Sequence, residues 1–242
     1  ASDVYKRQIL YAALFYFAAT ILFVGLAYRV YEYAKIPAPL KIPTPPAPMT
    51  QRGVAIRIFR EVVFFESLFS ATKWTWLFSW IFHLALLLAA LRHLKYFTDP
   101  VWFWVSSELV QVAGHYAAYL MLAGLLGLFA RRVFVDRVRY ISSPSDYLIL
   151  VLIIAIAGSG LMMKWCPSDI LAIKLFFVVL LTFNFSELPS DSLILIHLSL
   201  VIALMIIFPY SKLLHAPGLF FSPTRNQVCL LYTSDAADEH SW

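Results

Sequence analysis

The sequence predicts an all-α fold: a polytopic transmembrane bundle of five helices with an interfacial helix on its cytoplasmic side. Of the 242 residues, 61% are hydrophobic and 14% charged, against about 45–50% and about 25% in soluble domains. The mean hydropathy is +0.76. Five runs, 9–28, 74–91, 109–130, 147–163 and 192–211, contain no Asp, Glu, Lys or Arg, and about 20 apolar residues are what a bilayer crossing takes. A soluble globular domain is excluded. The net charge of +5 reads as membrane topology rather than nucleic-acid binding, because basic residues mark cytoplasmic loops.

Residues 1–8 and 228–242 break the apolar pattern. Their strings SDVYKRQ and CLLYTSDAADE read as sequencing-adapter read-through, so fold reasoning applies to 9–227 and leaves Cys229 and His240 without a role. Run 9–28 is the first span. The cytoplasmic segment 35–73 follows in two parts. Six prolines within 37–48 favour an extended strap. Residues 51–70 then alternate Arg52, Arg57 and Arg60 with Val54, Ile56, Phe59 and Val62–Phe65, a mixture suited to a helix at headgroup level, as a lipid anchor or a partner's docking surface. Runs 74–91, 109–130, 147–163 and 192–211 are the second to fifth spans. Run 175–186 is also uncharged, yet 12 residues of helix reach only about 18 Å, so it reads as interfacial or re-entrant. Lys and Arg number seven in 29–73, four in 131–146 and two in 212–227, against two each in 92–108 and 164–191. Thirteen against four places the N-terminus outside and the C-terminus in the cytoplasm. A sixth span at 175–186 would weaken that balance.

Histidines carry the chemistry. His83 and His93 lie on the second span, His197 and His215 on or just after the fifth, and an ionisable group at membrane depth has a functional or paired role by default. Ten residues, about 15 Å of helix, separate the first two. With the second span running outward and the fifth inward, His83 lies level with His215 and His93 with His197: two stacked bis-histidine sites. Eighteen residues of straight helix would span about 27 Å, so a bend at Pro209 before His215 is expected. Zinc takes four ligands including thiolate or carboxylate, which these depths do not offer. Haem needs two axial imidazoles and an apolar slot, and leaves no open position, favouring electron transfer. Cys166 and Cys229 cannot supply an iron–sulfur cluster, and no haem-attachment motif is present. Arg131, Arg132 and Lys212 at the inner boundary, and Arg92 and Lys95 at the outer, are candidates to pair with haem propionates, or anchors at the membrane interface.

Three strings, FHLALLLAALRH (82–93), RRVFVDRVRYISSPSD (131–146) and LIHLSLVIALMIIFPYSKLLHAPG (195–218), resemble the respiratory nitrate reductase gamma-subunit superfamily of five-helix dihaem b quinol oxidases. KIPTPPAPMT (41–50), EVVFFESLF (61–69), KWTWLF (73–78) and APGLFFSPTRNQ (216–227) resemble, within it, the DsrM family, the membrane cytochromes b of dissimilatory sulfite reductase-associated complexes. The resemblance implies two haem b groups, the inner on His83 and His215, the outer on His93 and His197. It implies oxidation of a quinol, menaquinol by expectation, near the outer haem, with electrons passing inward to a cytoplasmic iron–sulfur subunit similar to DsrK and with further membrane and periplasmic subunits as partners. It places the chain in the cytoplasmic membrane of a bacterium or archaeon. One departure stands out: where the gamma subunits carry a quinone-contacting lysine at the start of helix three, this chain reads LVQVAGHYAAY (109–119).

His115 stands in that stretch. Its imidazole can accept a proton near neutral pH, and Tyr116, Tyr119 and Gln111 could complete a quinol pocket; a packing histidine is the other reading. Quinone reduction in the reverse direction uses the same parts. A transporter is the rival from another class, disfavoured because the spans lack paired Gly/Pro-interrupted helices. A non-catalytic anchor would leave four histidines unexplained.

Overall fold

The computed structural model describes residues 2–36, 43, 45–166, 169–184 and 188–229. Most of the proline-rich strap, and the tail from residue 230, lie outside the described residues. Eleven α-helices are present among them: α1 (Ser2–Lys35), α2 (Gln51–Phe64), α3 (Glu66–Ala71), α4 (Lys73–His93), α5 (Glu108–Phe134), α6 (Asp136–Ile141), α7 (Pro144–Met162), α8 (Ile170–Leu181), α9 (Ser192–Ile207), α10 (His215–Gly218) and α11 (Pro223–Asn226). Five of them, α1, α4, α5, α7 and α9, are long and apolar enough to cross a membrane. Phe23, Leu87, Leu120 and Leu148 on these helices are exposed, as a lipid-facing surface requires. The fold class is as the sequence predicts.

The helices pack as a chain of neighbours in the order α4, α5, α7, α9, α1. The tightest pair is α4 with α5. Gly114, Ala117, Met121, Gly124 and Leu125 are the buried residues of α5, a near-heptad stripe of mostly small side chains. Such stripes let membrane helices approach where no hydrophobic force drives them together. At position 124 a Cβ would stand 2.9 Å from the Phe78 carbonyl oxygen and 3.1 Å from the Phe82 Cβ, so only glycine fits. The core there continues through Phe82, Ala85 and Ala157. A second core joins α1, α8 and α9 through Phe15, Phe176, Phe177, Ile194 and Leu198. Helix α8 has 12 residues, about 18 Å, too short to span. It is tied down by a hydrogen bond from the Tyr16 hydroxyl to the Leu180 carbonyl (2.6 Å) and by the Lys174–Asp99 ion pair (2.8 Å).

Two features bring distant segments together at one end of the bundle, where α1 stops, α4 begins, α5 stops and α7 begins. We call this the basic end for Arg131, Arg132, Arg137, Arg139 and Lys212. First, the expected single helix over 51–70 is broken. Phe65 adopts a left-handed backbone (φ 51°), which separates α2 from α3. The last carbonyls of a helix lack intrahelical donors; here the indole N–H of Trp76 donates to the Phe64 carbonyl (2.6 Å) and that of Trp80 to the Val63 carbonyl (3.0 Å). The corner is thereby fastened to α4. Arg225 of α11 reaches back to Glu61 and Ser67, so the C-terminal segment closes over the same corner. Second, α9 ends at Ile207 and continues as 3-10 turns at Phe208–Tyr210 and Lys212–Leu214. Pro209 is buried and packs on α1 at Gly25. The expected bend is present, and it carries the chain back toward α4.

Candidate functional site

His83 and His215 meet at the basic end. Their ring centroids are 5.9 Å apart with the planes at 87°. The bent segment after Pro209 makes the meeting possible. Phe65 and Phe82 stand edge-on to the His83 ring, centroids 5.0 and 4.8 Å away, giving that imidazole an apolar surround.

His93 and His197 lie toward the opposite end, close enough to interact electrostatically. His93 is exposed. Helices α4 and α9 do not form a packed pair among the described residues, and His83 meets His215 beyond the end of α9.

All four imidazoles share one hydrogen-bonding pattern. Nδ1 of His83 lies 2.7 Å from the Ser79 carbonyl and Nδ1 of His93 2.6 Å from the Ala89 carbonyl, each four residues back on α4. Nδ1 of His215 lies 3.0 Å from the Lys212 carbonyl. Nδ1 of His197 lies 2.9 Å from the Ser159 hydroxyl, which itself donates to the Ile156 carbonyl at 3.0 Å. A carbonyl only accepts, so three rings carry the proton on Nδ1; Ser159, whose own proton is spent on Ile156, accepts from the fourth. In the neutral rings the lone pair then lies on Nε2. A hydrogen bond of this kind at one ring nitrogen fixes the tautomer and orientation of a histidine whose other nitrogen ligates a metal. Gly160 keeps room beside His197, since a Cβ there would stand 3.3 Å from the ring's Cε1.

The donor set decides what these pairs fit. No group of three or more His, Cys, Asp or Glu occurs among the described residues, so neither pair completes a four-ligand zinc site. Two opposed imidazoles suit a planar macrocycle that supplies its own in-plane ligands. His83 and His215, two imidazoles with ring centroids 5.9 Å apart, would be the residues to hold such a group at the basic end. Beside His215 a cleft of about 610 Å³ opens, lined by Tyr33, Lys212, Leu214 and Phe221 among others.

The basic side chains divide. Lys212 and Arg132 both pair with Asp146, at 2.8 and 3.5 Å. Arg131 is half-buried in the last turn of α5. Arg92, Lys95 and Lys164 make no ion pair with an acidic side chain among the described residues, and Arg92 lies within electrostatic reach of His115 and of both lysines.

His115 is exposed on the second turn of α5, its ring against Tyr116 (centroids 5.3 Å). Gln111 is turned away, donating from Nε2 to the Val105 carbonyl at 2.8 Å. Sequence reasoning did not find the neighbour that Tyr119 does have. Lys164, just beyond the end of α7, places its ammonium 4.4 Å over the Tyr119 ring and donates to the His115 carbonyl. Burial, and then the Arg92 guanidinium, push its pKa below the ordinary lysine value. Helix α5 thus has a lysine beside it in space, though none in its sequence. Ser159 was missed as well. The available signal was the GSG at 158–160 inside an otherwise large-residue apolar run.

A model of the family described as "Nitrate reductase gamma subunit" matches residues 66–228, a stretch that holds all four paired histidines. Two proteins, each described as an "Hdr-like menaquinol oxidoreductase cytochrome b-like subunit", are similar over most of the chain. The one from Archaeoglobus fulgidus is 34% identical over 255 residues, covering 87% of this chain and 77% of its own. The one from Archaeoglobus profundus is 32% identical over 265 residues, covering 90% and 78%.

Proposed function

Because the chain belongs to the nitrate reductase gamma-subunit family, we propose that it is a dihaem cytochrome b subunit that oxidises quinol and sends the electrons to a partner. The observation that carries this reading is the set of four imidazoles, His83 with its ring centroid 5.9 Å from that of His215 and His93 within electrostatic range of His197, each with Nδ1 engaged in a hydrogen bond. His83 and His215 would hold one haem, His93 and His197 the other. Bound this way, haem supplies one-electron relay with no open coordination position. Arg92, Arg131, Arg132, Lys95 and Lys212 are the cations within the two boundary regions suited to its propionates, with Arg132 and Lys212 sharing their charge with Asp146.

The quinol site in this reading is the surface of His115, Tyr119 and Lys164, with Gln111 shaping the loop beneath. The substrate loses two electrons and two protons. His115 accepts a hydrogen bond from the quinol hydroxyl and then the proton, while the Lys164 ammonium favours the quinolate anion left behind. The relatives' printed name supports menaquinol as the substrate. With the N-terminus outside, proton release is external and electron travel inward, so turnover builds membrane potential. The finer assignment is a DsrM-type subunit delivering electrons to a cytoplasmic iron–sulfur partner similar to DsrK. Its docking surface is the basic end: α2, α3, the α5–α7 connection and the C-terminal segment.

The test is a pyridine haemochrome determination on the purified chain together with a reduced-minus-oxidised optical spectrum. Two b haems per polypeptide are expected. One haem, or none, refutes the dihaem scheme.

A further inference from the structure

Three of the four histidines sit on long helices whose own backbone fixes them; His215 does not. It follows Pro209, an extended Ser211 (φ −111°, ψ 169°) and a single 3-10 turn, a stretch with little stiffness of its own. Its orientation must come from elsewhere.

Asp146, in the first turn of α7, has a side chain only 7% exposed. Its carboxylate accepts from the Ser143 backbone N–H (3.0 Å), the Ser143 hydroxyl (3.0 Å) and the Lys212 ammonium (2.8 Å), with Arg132 of α5 at 3.5 Å. The first two contacts cap the helix. The third reaches a residue 66 positions away. Among the described residues, Lys212–Asp146 is the sole side-chain hydrogen bond or ion pair that ties 211–218 to another helix. Lys212 is also the residue whose carbonyl accepts from His215 Nδ1. Carboxylate, ammonium, backbone carbonyl and imidazole therefore form one line from α7 to the ring.

We infer that Asp146 is a positioning residue for His215: through Lys212 it fixes where the turn sits and which way the imidazole points. The bond is charge-assisted, with the carboxylate 7% exposed and the lysine side chain 70% exposed, so solvent screens it on the lysine side. The inference rests on the functional reading above for its consequence at the inner haem, but the positioning itself can be measured without haem.

Asp146→Asn keeps an acceptor for the Ser143 N–H, and so the cap of α7, while removing the charge that holds Lys212. Lys212→Met removes the same tie from the other side and leaves the backbone carbonyl in place. In the purified chain, amide hydrogen exchange over 211–218 is expected to quicken by about twofold to fivefold in both variants, with exchange in α4 unchanged. Potentiometric titration of the same samples should show a shifted or diminished inner-haem signal beside an intact outer one, and Lys212→Arg should restore it. Unchanged exchange over 211–218 overturns the inference whatever the haem content, and so does equal loss of both haem signals. A wild-type chain without any inner-haem signal refutes the functional reading instead, and exchange still decides the role of Asp146.

Discussion

Ser159→Ala isolates the contact that orients His197. The side chain is 7% exposed, and its hydroxyl is the partner of His197 Nδ1 at 2.9 Å. Alanine occupies less space and introduces no clash, so the perturbation is the lost hydroxyl, acceptor for His197 Nδ1 and donor to the Ile156 carbonyl. A buried donor left unsatisfied costs about 1–3 kcal/mol, equivalent to about 5- to 150-fold in the equilibrium that holds the ring in its ligating orientation. Loss of the hydrogen-bond partner of a metal-ligating histidine typically lowers metal affinity about 10- to 100-fold, inside the same range. The expected outcome is reduced occupancy at the His93–His197 site, with the His83–His215 site unaffected, because Ser159 touches one ring only. The assay is haem retention in detergent, following the two haem signals separately while an apo haem-binding protein competes for the cofactor. Release of the outer haem at the wild-type rate, or equal acceleration of both, would refute the assigned role of the serine.

Ligand loss should be selective by pair: His83→Ala or His215→Ala removes one redox wave in a potentiometric titration, His93→Ala or His197→Ala the other, and a wave lost in common to His83→Ala and His197→Ala shows the pairing to be crossed. His115→Leu should slow haem reduction by a menaquinol analogue several-fold with both haem spectra intact, and Lys164→Met should act at the same step; wild-type kinetics in both would remove this surface from the mechanism. Gly124→Leu drives a branched side chain into the Phe78 backbone, where even a Cβ would stand 2.9 Å from the carbonyl oxygen. It should cost about 1–3 kcal/mol or more, seen as a lower thermal midpoint in detergent, with the α4–α5 packing argument failing if the midpoint holds. Cross-links from a copurified partner should fall on the basic end, on 51–71, 131–146 and 211–229, and cross-links confined to the opposite end would contradict the docking surface.

The sequence alone determined the membrane class, the five long helices and the four histidines, because each is written in local terms. An uncharged run of about 20 residues has one stable solution in a bilayer, and the spacing of His83 and His93 follows from the rise of a single helix. Even the departure from helix at Pro209 is local, since a proline lacks the N–H that α9 would need. Tertiary structure decided what those local terms leave free. A helix break at Phe65 depends on Trp76 and Trp80 capping carbonyls from another helix, and no pattern within 51–70 encodes those donors. Lys164 reaches Tyr119, Ser159 reaches His197 and Asp146 reaches Lys212 across separations of 45, 38 and 66 residues. Such pairs form only once the helices are packed, so the histidines proposed to bear the chemistry are legible in the sequence while the residues proposed to aim them appear only in the fold.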